Sequence, residues 1–307
     1  MIFVYLIIAL VFLVWSGGAL VSTLTRLSGR FKVSFFVISF LMMAGATSVP
    51  ELFVAIQSAF DNETALAFGV VVGSNIADIA LVLGTLLILN PQIQISSSIK
   101  RFDSVAMAFV AIVPFILIID RNLSRIDGVI LIIVFALYLF NLLQSSKFFK
   151  KIQHTEKSPH LLKDIIVFIL AVVTLLISSH YVVLYSTEVA SFLRLPVMLV
   201  GLILVSLGTS LPELVFAYRA SKEKKPELSL GDITGSVVFN AALILGVAAI
   251  ISPFELASPL NYLIPAIFTA ILFAYFIIGV INEKALRKPF GFVLVAFYIL
   301  FIILELI

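Results

Sequence analysis

Thiols are absent and charge is scarce: the 307-residue chain has no cysteine, three histidines, one tryptophan, and only 12% Asp, Glu, Lys and Arg. Without cysteine there are no disulfides and no thiolate metal centres. No His-Glu-x-x-His occurs, which removes the zinc-protease helix, and the one histidine inside an apolar run, His180, reads as an interfacial residue. A soluble globule carries about a quarter charged residues, so 12% charged against 62% hydrophobic excludes one and indicates an integral membrane protein. The net charge of +3 makes no case for nucleic acid, because the basic residues are confined to the connections between apolar runs.

Those runs number ten, at roughly 2–22, 33–60, 65–90, 104–120, 127–145, 164–187, 195–220, 229–251, 261–281 and 289–307, each near or above the ~20 residues a helix needs to cross ~30 Å of hydrocarbon. Backbone groups in lipid must find partners within the protein, which leaves helices or closed barrels. Long continuous runs suit helices rather than ~10-residue alternating strands. The expectation is an all-α membrane protein with ten transmembrane helices. The first run lacks a basic start, and Arg26, Arg30 and Lys32 follow it, so it reads as a helix and not as a signal peptide.

The basic residues alternate between loops. With the N-terminus outside, the loops after the odd-numbered runs hold sixteen Lys and Arg, while the other loops hold Arg121, Arg125 and Arg194. That bias places both termini outside a cell membrane crossed many times. The longest basic loop, Ser145 to Lys163, reads as a cytoplasmic linker (146–163) with affinity for anionic lipid.

Two motifs interrupt the apolar runs and recur at one spacing. "TSVPE" (Thr47 to Glu51) returns as "TSLPE" (Thr209 to Glu213), 162 residues later. The same gapless offset lays "GVVVGSNIADIALVLG" (Gly69 to Gly84) on "GDITGSVVFNAALILG" (Gly231 to Gly246). Five helices separate equivalent positions, and an odd number inverts the second half. The expected plan is two inverted five-helix repeats: 1–145, with its motif region at about 40–85, and 164–307, with its own at about 202–247. Such repeats are typical of transporters whose ion sites lie at mid-membrane on broken helices.

The motifs carry hard-cation chemistry. Pro50 and Pro212 have no N–H, so the carbonyls of Ala46 and Gly208 lose their helical donors, a costly loss in hydrocarbon unless they line a polar cavity. Thr47 and Glu51 are four apart on one helix face with Ser48 beside them, and Thr209, Ser210 and Glu213 repeat the pattern. Ser74 with Asp78, and Ser236 with Asn240, are again four apart. Glycines 69, 73, 231 and 235 permit close helix contact. Three acids, Glu51, Asp78 and Glu213, fall in these motifs, and an intramembrane carboxylate is costly enough to imply function. An all-oxygen set suits calcium, sodium or magnesium rather than zinc or copper.

With these residues in place the chain resembles the sodium/calcium exchangers of the cation/calcium antiporter superfamily, whose two alpha repeats "GATSVPE…GSNIADIALVLG" and "GTSLPE…GSVVFNAALILG" look like. The resemblance implies adjacent cation sites lined by Thr47, Ser48, Glu51, Ser74 and Asp78 from one repeat and by Thr209, Ser210, Glu213, Ser236 and Asn240 from the other. It also implies backbone carbonyls at Ala44 and Ser206 as sodium ligands. Sodium-driven calcium exchange by alternating access is the implied function, with short first and sixth helices sliding across the site. Calcium and sodium would bind as substrates, with no cofactor, no enzymatic activity and no obligatory protein partner beyond the lipid bilayer. In the best-known prokaryotic members the asparagine stands in the first repeat and the aspartate in the second, whereas Asp78 and Asn240 are exchanged here.

Charge counting leaves the coupling open. Three sodium ions balance three ionised carboxylates, and one calcium balances the two glutamates if Asp78 is protonated. Proton/calcium exchange remains an alternative, although the Gly-Asn-Ala that precedes the glutamate in those exchangers is replaced here by Ala-Thr-Ser and Gly-Thr-Ser. Potassium-dependent exchange and transport of another divalent cation also remain.

Overall fold

The computed structural model describes residues 1–28, 45, 47–90, 92–94, 101–144, 161–222, 226–255, 260–282 and 285–306. Each of the ten apolar runs holds helix. α1 is Ile2–Ser28 and α2 is Val49–Phe60. α3 spans Thr64–Leu89 with a π-helical turn at Asp78–Val82. α4 is Arg101–Leu117, α5 Arg125–Gln144 and α6 Leu161–Leu193. α7 runs from Val197–Val200 through π-helical Gly201–Val205 to Ser206–Thr209, and α8 is Leu211–Lys222. α9 runs from Pro226–Val238 through π-helical Phe239–Ile244 to Leu245–Ile251. α10 is Leu260–Asn282 and α11 Lys288–Leu306. Among the described residues seven helical stretches are long and apolar enough to cross a membrane, while Val49–Phe60 and Val105–Asp120 are shorter apolar helices.

The helices sort into a centre and a periphery. Nearly every residue along the α3 span is buried, whereas most residues of the α6 span are not. α1 and α6 lie along one another, with Phe3 edge-on to Phe192 and Tyr5 against Tyr185. The start of α1 therefore meets the end of α6, and the two run antiparallel. Leu6, Leu13, Leu175 and Val182 form a second apolar cluster that reaches the centre through Val54, Leu66 and Val70. The outer faces of these helices present Val11, Trp15, Ile169 and Leu170, the apolar exterior suited to lipid. At 27 and 33 residues, α1 and α6 are the longest helices described, which corrects the expectation that they are short. α6 also takes Leu161 to Lys163 out of the expected linker.

Glycine sets the closest approaches. A Cβ on Gly69 would strike the backbone of Met198, and one on Gly73 that of Leu202, so α3 and α7 touch backbone to backbone there. From the other side, a Cβ on Gly201 would lie 2.7 Å from the Leu66 carbonyl oxygen. Gly84 meets Gly291, and Gly246 meets Gly128. Gly231, expected to serve the same purpose, is exposed. The helical plan is interrupted by two short antiparallel ladders: β1 (Gln92–Gln94) pairs with β4 (Ala285–Arg287), and β2 (Asn122–Leu123) with β3 (Phe254–Glu255). They clip loop to loop at the helix ends.

Candidate cation-binding site

Both Thr-Ser-x-Pro-Glu motifs break their helix at the serine. Ser48 has φ −85°, ψ 8° and Ser210 φ −83°, ψ 5°, and a new helix starts at the next residue in each. Regular bonding resumes at once, with Leu52 N–H donating to Ser48 (3.0 Å) and Leu214 N–H to Ser210 (3.2 Å). Pro50 and Pro212 thus fall in a first turn, where a missing N–H costs little. Glu51 and Glu213 sit in the same turns, at helix N-termini whose dipoles favour negative charge.

The π turns of α3 and α9 carry the other polar residues. Asp78 opens the turn of α3 and Asn240 lies within that of α9. One extra residue in a turn shifts the helix face that follows it, and such turns are frequent at functional sites.

The two motifs interlock crosswise. Thr47 of the first brings its hydroxyl to 3.2 Å from that of Ser236, and Thr209 of the second lies 3.4 Å from Ser74. These contacts exchange when 162 is added to or subtracted from the numbers, as a two-fold relation requires. Ser74 also donates to Glu51 Oε1 at 3.3 Å. Thr47 lies beside the Glu213 carboxylate, and the Ser210 hydroxyl beside Asp78 without a formed hydrogen bond. The Ser206 carbonyl accepts the Ser210 N–H at 2.9 Å and the Thr209 hydroxyl at 3.2 Å. Ala44 lies outside the described residues.

Burial is nearly complete. Glu51, Asp78, Glu213, Ser74, Ser236 and Asn240 are at most 1% exposed, with Ser48, Ser206, Thr209 and Ser210 also buried; Thr47 is half-buried. Yet Glu51 Oε2, both Asp78 oxygens, Glu213 Oε2, Ser48 Oγ, Ser210 Oγ and both polar atoms of the Asn240 amide have no hydrogen-bond partner. Buried polar atoms are normally satisfied, and leaving charged ones bare is costly. Among the described residues no three acidic or imidazole groups converge closely enough to hold a metal alone. A cation here would draw on carboxylates and hydroxyls together, a donor set suited to hard ions.

A fourth acid belongs to this centre. Asp232 is 1% exposed and accepts a 3.3 Å hydrogen bond from Thr47. It stands inside the second motif, so the count of three acids there is corrected to four. The signal was available: at the offset of 162 its twin is Val70, a charge set against a valine. Tyr298 of α11 is a further buried neighbour, standing near Asp78. His180 is exposed, 3.9 Å from Asp61 at the end of α2.

Known proteins give the same picture. Residues 1–144 and 163–307 match the family described as sodium/calcium exchanger protein. The sodium/calcium exchanger MaX1 of Methanosarcina acetivorans is 26% identical over 342 residues, covering 98% of this chain and 97% of that protein. The putative antiporter CaxA of Alkalimonas amylolytica is 28% identical over 264 residues, 81% of each, and the inner membrane protein YrbG of Escherichia coli is 27% identical over 267 residues, 84% of this chain and 82% of its own. The sodium-calcium exchanger NCX_Mj, solved after soaking with sodium and strontium, superposes with a TM-score of 0.66 at 24% identity over 98% of both chains, which shows a common fold. With two interlocked Thr-Ser-x-Pro-Glu motifs and a family match over nearly its whole length, the chain belongs to the sodium/calcium exchanger family, membrane antiporters of cations.

Proposed function

We propose that this protein exchanges sodium for calcium by alternating access at the buried centre where Thr47, Ser48, Glu51, Ser74 and Asp78 meet Thr209, Ser210, Glu213, Ser236 and Asn240, with the Ala44 and Ser206 carbonyls as sodium ligands. The observation that carries the reading is the crossed pair Thr47–Ser236 and Thr209–Ser74, which supports one oxygen-lined site whose carboxylates each keep at least one oxygen without a partner. Calcium would take the two glutamates. Sodium ions would take the same carboxylates with the hydroxyls beside them. The ions then compete for shared ligands, and competition at a site open to one side at a time couples opposite fluxes.

The surrounding architecture supports the reading. Ten spans in two inverted halves, 1–145 and 164–307, with α7 and α8 as one span broken at Ser210, would explain why α1 and α6, equivalent by the offset, run antiparallel, and why the two ladders pair loop with loop. The peripheral α1–α6 pair, with its own apolar cluster, is the element suited to move against the centre. The charge bias of the loops places both termini outside.

Sodium-gradient-dependent uptake of radiolabelled calcium into proteoliposomes tests the proposal. Uptake should require outward-directed sodium and vanish when the gradient is collapsed. Calcium movement driven by a proton gradient alone would replace it with proton/calcium exchange.

A further inference from the structure

Asp232 is a buried acid of the centre that the internal repeat does not explain. Val70, its twin, belongs to the apolar cluster beneath α1 and α6, so the second half puts a carboxylate where the first puts two methyl groups. One Asp232 oxygen accepts from Thr47, while Oδ2 is buried without a partner. Ser236, four residues on and on the same face of α9, holds its hydroxyl 3.2 Å from the Thr47 hydroxyl. Glu213 is close enough for its charge to act on Asp232. The Thr47–Ser236 side therefore has two carboxylates, Glu213 and Asp232, and the Ser74–Thr209 side has Glu51, while Asp78 is close enough to act on all three. A rise of ~1.5 Å per residue places Asp232 about 6 Å from Ser236 toward the start of α9.

We propose that Asp232 is a further cation ligand and that, with the hydroxyls of Thr47 and Ser236, it holds one sodium ion that the first half has no means to hold. This rests on the sodium/calcium exchange reading of the centre. Charge balance gives the reason: with four ionised carboxylates, three sodium ions leave one negative charge buried and uncompensated, a costly state, and a fourth sodium closes the sum. Oxygen-only ligands and a single carboxylate suit a hard monovalent ion. The site is asymmetric, so sodium should be held more firmly on the side of α9 than on that of α3.

The experiment uses the full chain, with Asp232→Asn keeping an acceptor for Thr47 and Ser236→Ala keeping the acid while deleting a hydroxyl. Sodium binding to the purified protein is counted by equilibrium titration without calcium, and sodium and calcium fluxes are measured together in proteoliposomes. Asp232→Asn should bind one sodium fewer and move one sodium fewer per calcium, and its calcium uptake should depend less steeply on sodium. Ser236→Ala should weaken sodium binding without lowering the number of sites. An unchanged sodium count and steepness in Asp232→Asn overturns the proposal and leaves the residue as an acceptor that positions Thr47. Loss of a proton instead of a sodium from the cycle also overturns it. Should Asp232→Asn fail to fold, unaltered sodium affinity in Ser236→Ala is decisive against the site. The binding count is independent of transport: wild-type protein that binds sodium at Asp232 yet moves no calcium sinks the exchange reading and spares the site.

Discussion

The two arms of the site share a backbone and differ in chemistry. The break at Ser48 and the break at Ser210 agree within a few degrees, and the helices that follow, Val49–Phe60 and Leu211–Lys222, are each 12 residues long and offset by 162. Side chains at equivalent places nevertheless diverge: Asp78 against Asn240, Val70 against Asp232, Asn75 against Val237. What the two motifs share is what the backbone needs, a serine break and a proline in the first turn. The charges were free to change sides, because in a two-fold site a ligand contributed from either half reaches the same centre.

The harshest way to break the comparison is to remove its shared acids. Glu51→Gln and Glu213→Gln should each abolish calcium transport while leaving a folded protein, since losing one buried charged partner costs roughly 2–5 kcal/mol. Proteoliposome flux together with a melting curve checks this, and wild-type flux in either variant would refute the assignment of both arms to one site.

Exchanging the unlike pair is gentler. Asp78→Asn removes an acid and should weaken sodium-driven calcium flux. The double change Asp78→Asn with Asn240→Asp restores one acid and one amide with the order reversed, and should recover much of what the single change lost. A double variant no better than the worse single would show that positions 78 and 240 do not meet at a common centre.

The crossings come next. Gly73→Ala should destabilise by about 1–3 kcal/mol, the usual cost of overpacking, because its Cβ would meet the Leu202 backbone. Gly18→Ala in α1, with nothing within 4 Å of the added carbon, should be neutral or slightly stabilising, as helix propensity dictates. Equal melting shifts for the two would show that α3 and α7 are not in backbone contact.

The smallest effect sharpens the relation between halves without disturbing either. As the chain has no cysteine, Asn62→Cys and Lys222→Cys give clean single thiols at exposed positions. The inverted arrangement expects a membrane-impermeant reagent to label the first from outside and the second from inside. Labelling of both from one side removes the inversion.

The sequence by itself determined the solvent, the recurring motifs and most of the candidate site. Bilayer residence follows from composition, since apolar runs of helical length have few other places to be. The recurrence at 162 follows from identity of residues such as Gly73 with Gly235 and Ser74 with Ser236, and it exposed Glu51 and Glu213 because a carboxylate in hydrocarbon needs a reason. Asp232 was equally visible as a letter. Its identity breaks the repeat, so the recurrence that marks its neighbours does not mark it.

Only the tertiary structure decided which oxygen faces which. Local periodicity places Ser74 and Asp78 on one face of α3, but it does not say that Ser74 meets Thr209 or that Thr47 meets Ser236 and Asp232. Those contacts join residues 135 to 189 positions apart. They depend on how deeply Gly69 and Gly73 let α3 settle on α7, and on helix ends aimed inward by the breaks at Ser48 and Ser210. The length of α1 and α6 and their mutual pairing were likewise settled in three dimensions, where apolar faces without partners at the centre found one another and the lipid.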